Sequence, residues 1–196
     1  MDFRRAAGAS LFVGAVQFVI GMHLAEYLYP RYSVSGNFIS DLGATCRATL
    51  CTIYQPSASI FNFSVILFGL LIVLCSYFIY YEFRSSLITA LFCVSGLGAI
   101  GVGLFPETAG FLHDIVSFIT FLFDGFVAIA ASKLVKSPFS YFSILLGMAS
   151  LTALVLYGAN IYLGLGPGGM ERMIAYPVIL WAISFGGYLM SPQHID

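Results

Sequence analysis

Apolar runs of about 20 residues recur along this chain, interrupted only by short polar or proline-bearing stretches. A bilayer core about 30 Å thick is crossed by about 20 apolar residues in α-helix, the conformation that pairs every backbone N–H and C=O within one segment. Six spans are expected, at about 6–29, 57–82, 86–105, 109–135, 139–164 and 171–191. Only 9% of the side chains are charged, against about 25% in soluble domains, and the mean hydropathy is +0.95. The fold class expected is all-α: a polytopic integral membrane bundle of six transmembrane helices, one domain over residues 1–196, in the cell membrane.

The breaks have local causes. Pro30 and Pro56 flank the first long loop, Pro106 follows "GVGLF", Ser137-Pro138 separates the fourth and fifth spans, and "GPGG" separates the fifth and sixth. Proline and glycine disfavour helix continuation at each of these points. Arg4 and Arg5 before an apolar run resemble the start of a signal peptide, but no A-x-A-like site follows and the run continues to Tyr29, so it reads as the first span. The net charge of −1 and the lack of a basic stripe give no reason to expect a nucleic-acid partner.

Orientation follows from Lys and Arg. With both termini cytoplasmic, Arg4, Arg5, Arg84, Lys133 and Lys136 lie inside, and Arg31, Arg47 and Arg172 outside. Cys46 and Cys51 then bracket "RATL" in an extracytoplasmic loop at 30–56, where a disulfide persists. Cys75 and Cys93 fall within spans as apolar packing residues. In the Gly-rich third span, Ser95, Ala99 and Gly103 follow small-xxx-small spacing. That spacing suits close packing inside the bundle and also admits a homo-oligomer face.

On this topology the polar groups gather at one membrane face. Glu26, Asp41, Glu107, Asp114 and Glu171 lie at outer ends or loops with His23 and His113, while His194 and Asp196 fall in the cytoplasmic tail. Charge within a span costs about 2.5–3.5 kcal/mol at mid-helix, so such groups should face the bundle interior or a water-filled pocket. His113, Ser117, Thr120 and Asp124 follow i, i+4, i+7, i+11 on one helix face. The stripe descends about 16 Å. His23, Glu26 and Tyr27 form a shorter set, Tyr157 shares a face with Asn160, and Arg172 lies one turn from Tyr176 beside Pro177. An outward-opening pocket accommodates them all, with the "NFISDLG" loop, including Asn37, Ser40 and Asp41, at its rim.

Several chemistries fit these residue types. The plainest is a satisfied network, in which Arg31 and Arg172 pair with Asp41, Glu107 or Glu171. A metal site would draw on His23, His113 and Asp41, with Glu26, Glu107 or Asp114 as further donors, a set suited to zinc that would activate water against a lipid ester or amide. No HExxH element supports it. A metal-free site would use Ser40 or Ser35 as nucleophile with a histidine base, without a GxSxG elbow. A proton-coupled transporter or channel would use the stripe from His113 to Asp124, although no inverted repeat is visible. "GLGAIG" lies inside a span with no preceding strand and is a packing element.

"YSVSGNFISDLGA" followed by "PSASIFNFSVILFG", "LFPE" before His113-Asp114, and "GGMER" before the last span resemble a family of small prokaryotic membrane proteins catalogued as domain of unknown function 998. The resemblance covers essentially the whole chain and implies the six-span fold and the importance of Asn37, Ser40, Asp41 and Gly43. There is a looser likeness to the Frag/DRAM/Sfk family, some members of which are linked to lipid remodelling, and it implies a lipid-related role. The expected function is therefore a pocket that binds, and hydrolyses or remodels, a lipid-linked substrate. His23, Ser40, Asp41 and His113 would be catalytic, and Asn37, Glu107, Asp114, Asp124, Glu171 and Arg172 would contact substrate. Arg172 would hold an anionic head group with two donors. Membrane lipid is the expected partner, and a non-catalytic scaffold is the remaining alternative.

Overall fold

The computed structural model describes residues 2–48 and 50–192, so His194 and Asp196 lie outside the described residues. Six helices long and apolar enough to cross a membrane account for most of the chain: α1 (Phe3–Leu28), α2 (Ser57–Phe83), α3 (Ser86–Leu104), α4 (Phe111–Ala131), α5 (Phe139–Gly158) and α6 (Gly166–Met190). Local chemistry sets their ends. The Asp2 carboxylate accepts from Arg5 N at 3.0 Å and caps α1. Arg84, at φ 53°, turns the chain out of α2, and Gly110, at φ 57°, turns it into α4.

Two expected boundaries move. The fifth helix stops at Gly158, not near 164, because Asn160 and Leu163 adopt positive φ and reverse the chain. Asn160 therefore does not share a helix face with Tyr157; its side chain accepts from Tyr162 Oη at 2.9 Å in the turn. The "GPGG" stretch opens α6 instead of preceding it. Proline in a first turn forfeits an N–H that has no intrahelical partner anyway.

The helices pack in a ring in chain order, each against its neighbours, with α6 closing onto α1. Lipid supplies no hydrophobic drive for helix association, so close approach and interlocking side chains must hold the ring. Gly69 and Gly96 show the approach: a Cβ at either would sit 2.5–2.8 Å from the other's carbonyl oxygen. Phe18, Phe61 and Phe68 fill one level of the core, and Phe92, Trp181 and Phe185 another. Ser95, Ala99 and Gly103 are all buried against neighbouring helices of the same chain. That face packs inside the bundle.

Segment 29–56 closes one end of the ring. It contains a short 3-10 turn, Ser40–Leu42, and an antiparallel hairpin of β1 (Thr45–Arg47) and β2 (Leu50–Thr52). Cys46 and Cys51 face each other across the hairpin, Cα atoms 4.1 Å apart, and are disulfide-bonded. At the same end, 105–110 joins α3 to α4 and 159–165 joins α5 to α6. α4 and α5 are the least covered helices, with 22% of each spanning window buried against 56% for α6. The site opens along this thinly covered side.

Candidate functional site

Beneath the cap lies a cavity of about 520 Å³. Its roof is Phe38, Ser40, Cys46 and Arg47, and its wall toward the α3–α4 connection is Glu107. α4 contributes His113, Asp114, Ser117, Phe118 and Phe121; α5 contributes Leu154 and Tyr157; α6 contributes Glu171. Phe118 on the α4 side is 54% exposed, so the cavity borders surface that faces acyl chains in a bilayer.

The polar groups are held from several directions. His113 is buried, and its Nδ1 lies 2.8 Å from Phe105 O. A carbonyl only accepts, so the proton of that bond belongs to Nδ1 and the neutral ring keeps its Nε2 lone pair free. Ser117 Oγ lies 3.3 Å from Nε2, one turn further along α4. Several hydroxyls in these helices bond to a carbonyl four residues back, as Ser10, Ser64, Thr120 and Ser143 do. Ser117 is directed at an imidazole. A hydroxyl, a base and a group that orients the base are the elements of nucleophilic catalysis.

Glu107 accepts from Ser40 Oγ and from Cys46 N, both at 2.8 Å, and lies 3.7 Å from Arg47 Nη1. Burial raises its pKa, and the charge of Asp41 adds to that rise against the opposing hydrogen bonds. Glu171 is 5% exposed. Its Oε2 accepts from Ile39 N, and no described Lys, Arg or His lies within ion-pair distance of it. Ser40, Ser117, Phe121 and Glu171 also line a smaller cavity of about 60 Å³ that continues inward to Thr120 and Asp124. Asp124 accepts from Ser95 Oγ there.

Other expected participants lie elsewhere. Asp41 is not at the rim. It is 1% exposed, and its Oδ2 collects Asn37 Nδ2 and Phe38 N at 2.9 Å and Arg47 Nη2 at 2.6 Å. Asn37 likewise braces the cap, accepting from Ser33 N at 3.0 Å. Arg172 cannot clamp an anionic head group, because it is 3% exposed and already engaged. Nη1 donates to Val34 O, Asn37 O and Gly168 O at 3.0–3.1 Å, while Nη2 meets Glu26 Oε1 and Tyr32 Oη at 2.6 Å. It anchors the cap to α6. Burial raises the Tyr32 pKa, which keeps that phenol neutral. Gly168 lets the cap descend, since a Cβ there would collide with Asn37 O.

His23 is exposed on α1, its Nδ1 on Val19 O at 2.8 Å, beside a separate groove shared with Tyr176 and Leu180. The expected zinc set of His23, His113 and Asp41 is therefore not assembled, and among the described residues no group of three His, Cys, Asp or Glu side chains is placed to hold a metal ion. Ser35 Oγ donates to Leu165 O at 2.6 Å and is a brace. Ser40 is committed to Glu107 and hydrogen-bonds to neither His23 nor His113. The cation that pairs with Asp41 and approaches Glu107 is Arg47, not Arg31. Sequence reasoning passed over Arg47, although "CRATLC" already fixes it to the stapled hairpin.

Fold and site together describe a multi-pass helical membrane protein with a stapled cap over a laterally placed polar cavity. The chain belongs to the family described as Protein of unknown function (DUF998), whose model matches residues 12–188, from within α1 to near the end of α6. No curated protein and no solved structure matches it.

Proposed function

We propose that this protein binds a membrane amphiphile between α4 and α5 and cleaves an acyl ester in it, with Ser117 as nucleophile and His113 as base. The observation that carries the reading is the Ser117–His113–Phe105 carbonyl relay in the wall of a cavity beside lipid-facing α4. Ser117 Oγ bonds to the acyl carbon while its proton passes to His113 Nε2. The ester C–O bond then breaks and the alcohol departs with that proton. Water, deprotonated by the same nitrogen, releases the acid and restores Ser117. The disulfide supports a cap on the extracytoplasmic side of the cell membrane, since such bonds persist in oxidising compartments.

The test is covalent. A fluorophosphonate probe with a long alkyl tail should label the purified protein on Ser117, mapped by peptide mass spectrometry, and Ser117→Ala or His113→Gln should abolish labelling. Labelling that persists in Ser117→Ala would remove this serine from the chemistry. A second reading rests on the inward cavity, which shares Ser40, Ser117, Phe121 and Glu171 with the outer one, is lined by Asp124 and would suit proton entry. It predicts proton flux in liposomes that Asp124→Asn eliminates.

A further inference from the structure

Charge is unevenly balanced around the main cavity. Three carboxylates, Glu107, Asp114 and Glu171, share its wall with one guanidinium, Arg47. That guanidinium is already committed, held by Asp41 at 2.6 Å and approached by Glu107 at 3.7 Å. His113 gives no compensating charge while its ring is neutral and Nε2 takes the Ser117 hydrogen bond. Glu171 is thus a carboxylate only 5% exposed that has a backbone N–H but, among the described residues, no cation within ion-pair distance. Buried charges are normally paired, and one left without a partner inside a cavity identifies the charge of what is missing.

The remaining wall agrees. Phe38 and Tyr157 meet edge to face with centroids 6.0 Å apart, and Phe118 and Phe121 complete the aromatic surface. Phe38 already carries the Arg47 guanidinium 5.3 Å from its ring centroid. Aromatic faces beside carboxylates are the surroundings that stabilise a desolvated ammonium. A phosphate head would meet Glu107, Asp114 and Glu171 there, with only the committed Arg47 to receive it.

We infer that the head group taken by this cavity is a cationic amine, held by Glu171 and Asp114 against the aromatic wall. The inference rests on the amphiphile reading given above and adds the charge of the ligand. The test is a scintillation proximity titration of the full chain in phosphatidylcholine nanodiscs. Three radiolabelled amphiphiles share one alkyl chain and end in a primary ammonium, a hydroxyl or a phosphate.

The ammonium should bind at least tenfold tighter than the other two, and Glu171→Gln should reduce it to the affinity of the alcohol. Because Glu171 is buried and its variant could misfold, Asp114→Asn, at an exposed position, is the second variant and should cut the ammonium preference several-fold. Equal or tighter binding of the alcohol or the phosphate would overturn the cationic head group while leaving the amphiphile reading standing. Binding of none of the three would overturn both. An ammonium preference unchanged in both variants would overturn the assignment to these carboxylates.

Discussion

Glu171 and Arg172 are consecutive residues in the first turns of α6, both buried, and they serve opposite purposes. Successive helix positions diverge by about 100°, so one side chain enters the cavity and the other enters the cap. Arg172 meets two side chains and three carbonyls, leaving only Nε without a partner. Glu171 accepts from one backbone N–H and lines two cavities. A saturated network resists change and has nothing to offer a ligand. An unsaturated group beside an opening is where binding free energy remains available.

Ser117→Ala should lower turnover of a long-chain ester by about 10⁴-fold or more, the scale set by loss of a nucleophile, while the melting temperature in detergent stays near that of the parent. A fall in melting temperature with turnover per folded molecule unchanged would place Ser117 among the structural groups. On the saturated side the expectation reverses. Arg172→Met removes the donor to Glu26 and to the Val34 and Asn37 carbonyls, and breaking such a buried pair costs about 3–5 kcal/mol. Thermal unfolding should show that loss, and Arg172→Met combined with Glu26→Gln should cost less than the sum of the two. Additive costs would mean that the 2.6 Å contact between them carries little.

The disulfide ties the cap to the open side of the site. Cys46 N donates to Glu107, and the adjacent Arg47 holds Asp41 and approaches Glu107, so the staple fixes the cavity roof without touching the helix ring. Replacing both Cys46 and Cys51 by Ser should cost about 2 kcal/mol, lower amphiphile affinity several-fold and leave helical circular dichroism unchanged. Unaltered affinity would make the roof dispensable.

Composition reveals the six spans because charge at mid-bilayer is costly, while their order around the ring comes only from the packing. It misleads at the end of α5, where Ile161, Tyr162 and Leu163 prolong the apolar run although Asn160 and Leu163 have already turned the backbone. The pairing of His113 with Ser117 is legible because i, i+4 spacing is local. His23 stands at a plausible depth, but depth carries no information about azimuth around the ring, and it faces another groove. The partners of Arg172 lie up to 146 residues away in sequence and no periodicity points to them. Arg47 reaches Asp41 only after the cap has folded. Long-range polar pairing is therefore where sequence reasoning failed, and that pairing separates the saturated cluster from the open one.

Glu107 stands between the two clusters and gives the smallest expected effect. Burial raises its pKa above the ordinary glutamate value, near 4.3. The folded state then holds the proton to higher pH than the unfolded chain does. The stability this contributes is fully present below pH about 4.3 and declines as pH rises through the folded value. Glu107→Gln keeps an acceptor for Cys46 N and removes the titration. The melting temperature of the parent should therefore fall relative to the variant as pH rises from about 4.3, with the two curves parallel once Glu107 is ionised. Parallel curves across the whole range would mean that the carboxylate is as well stabilised as in water, and Glu107 would then belong with the saturated cluster. A parent curve that falls away from the variant's as pH rises would place it on the cavity side.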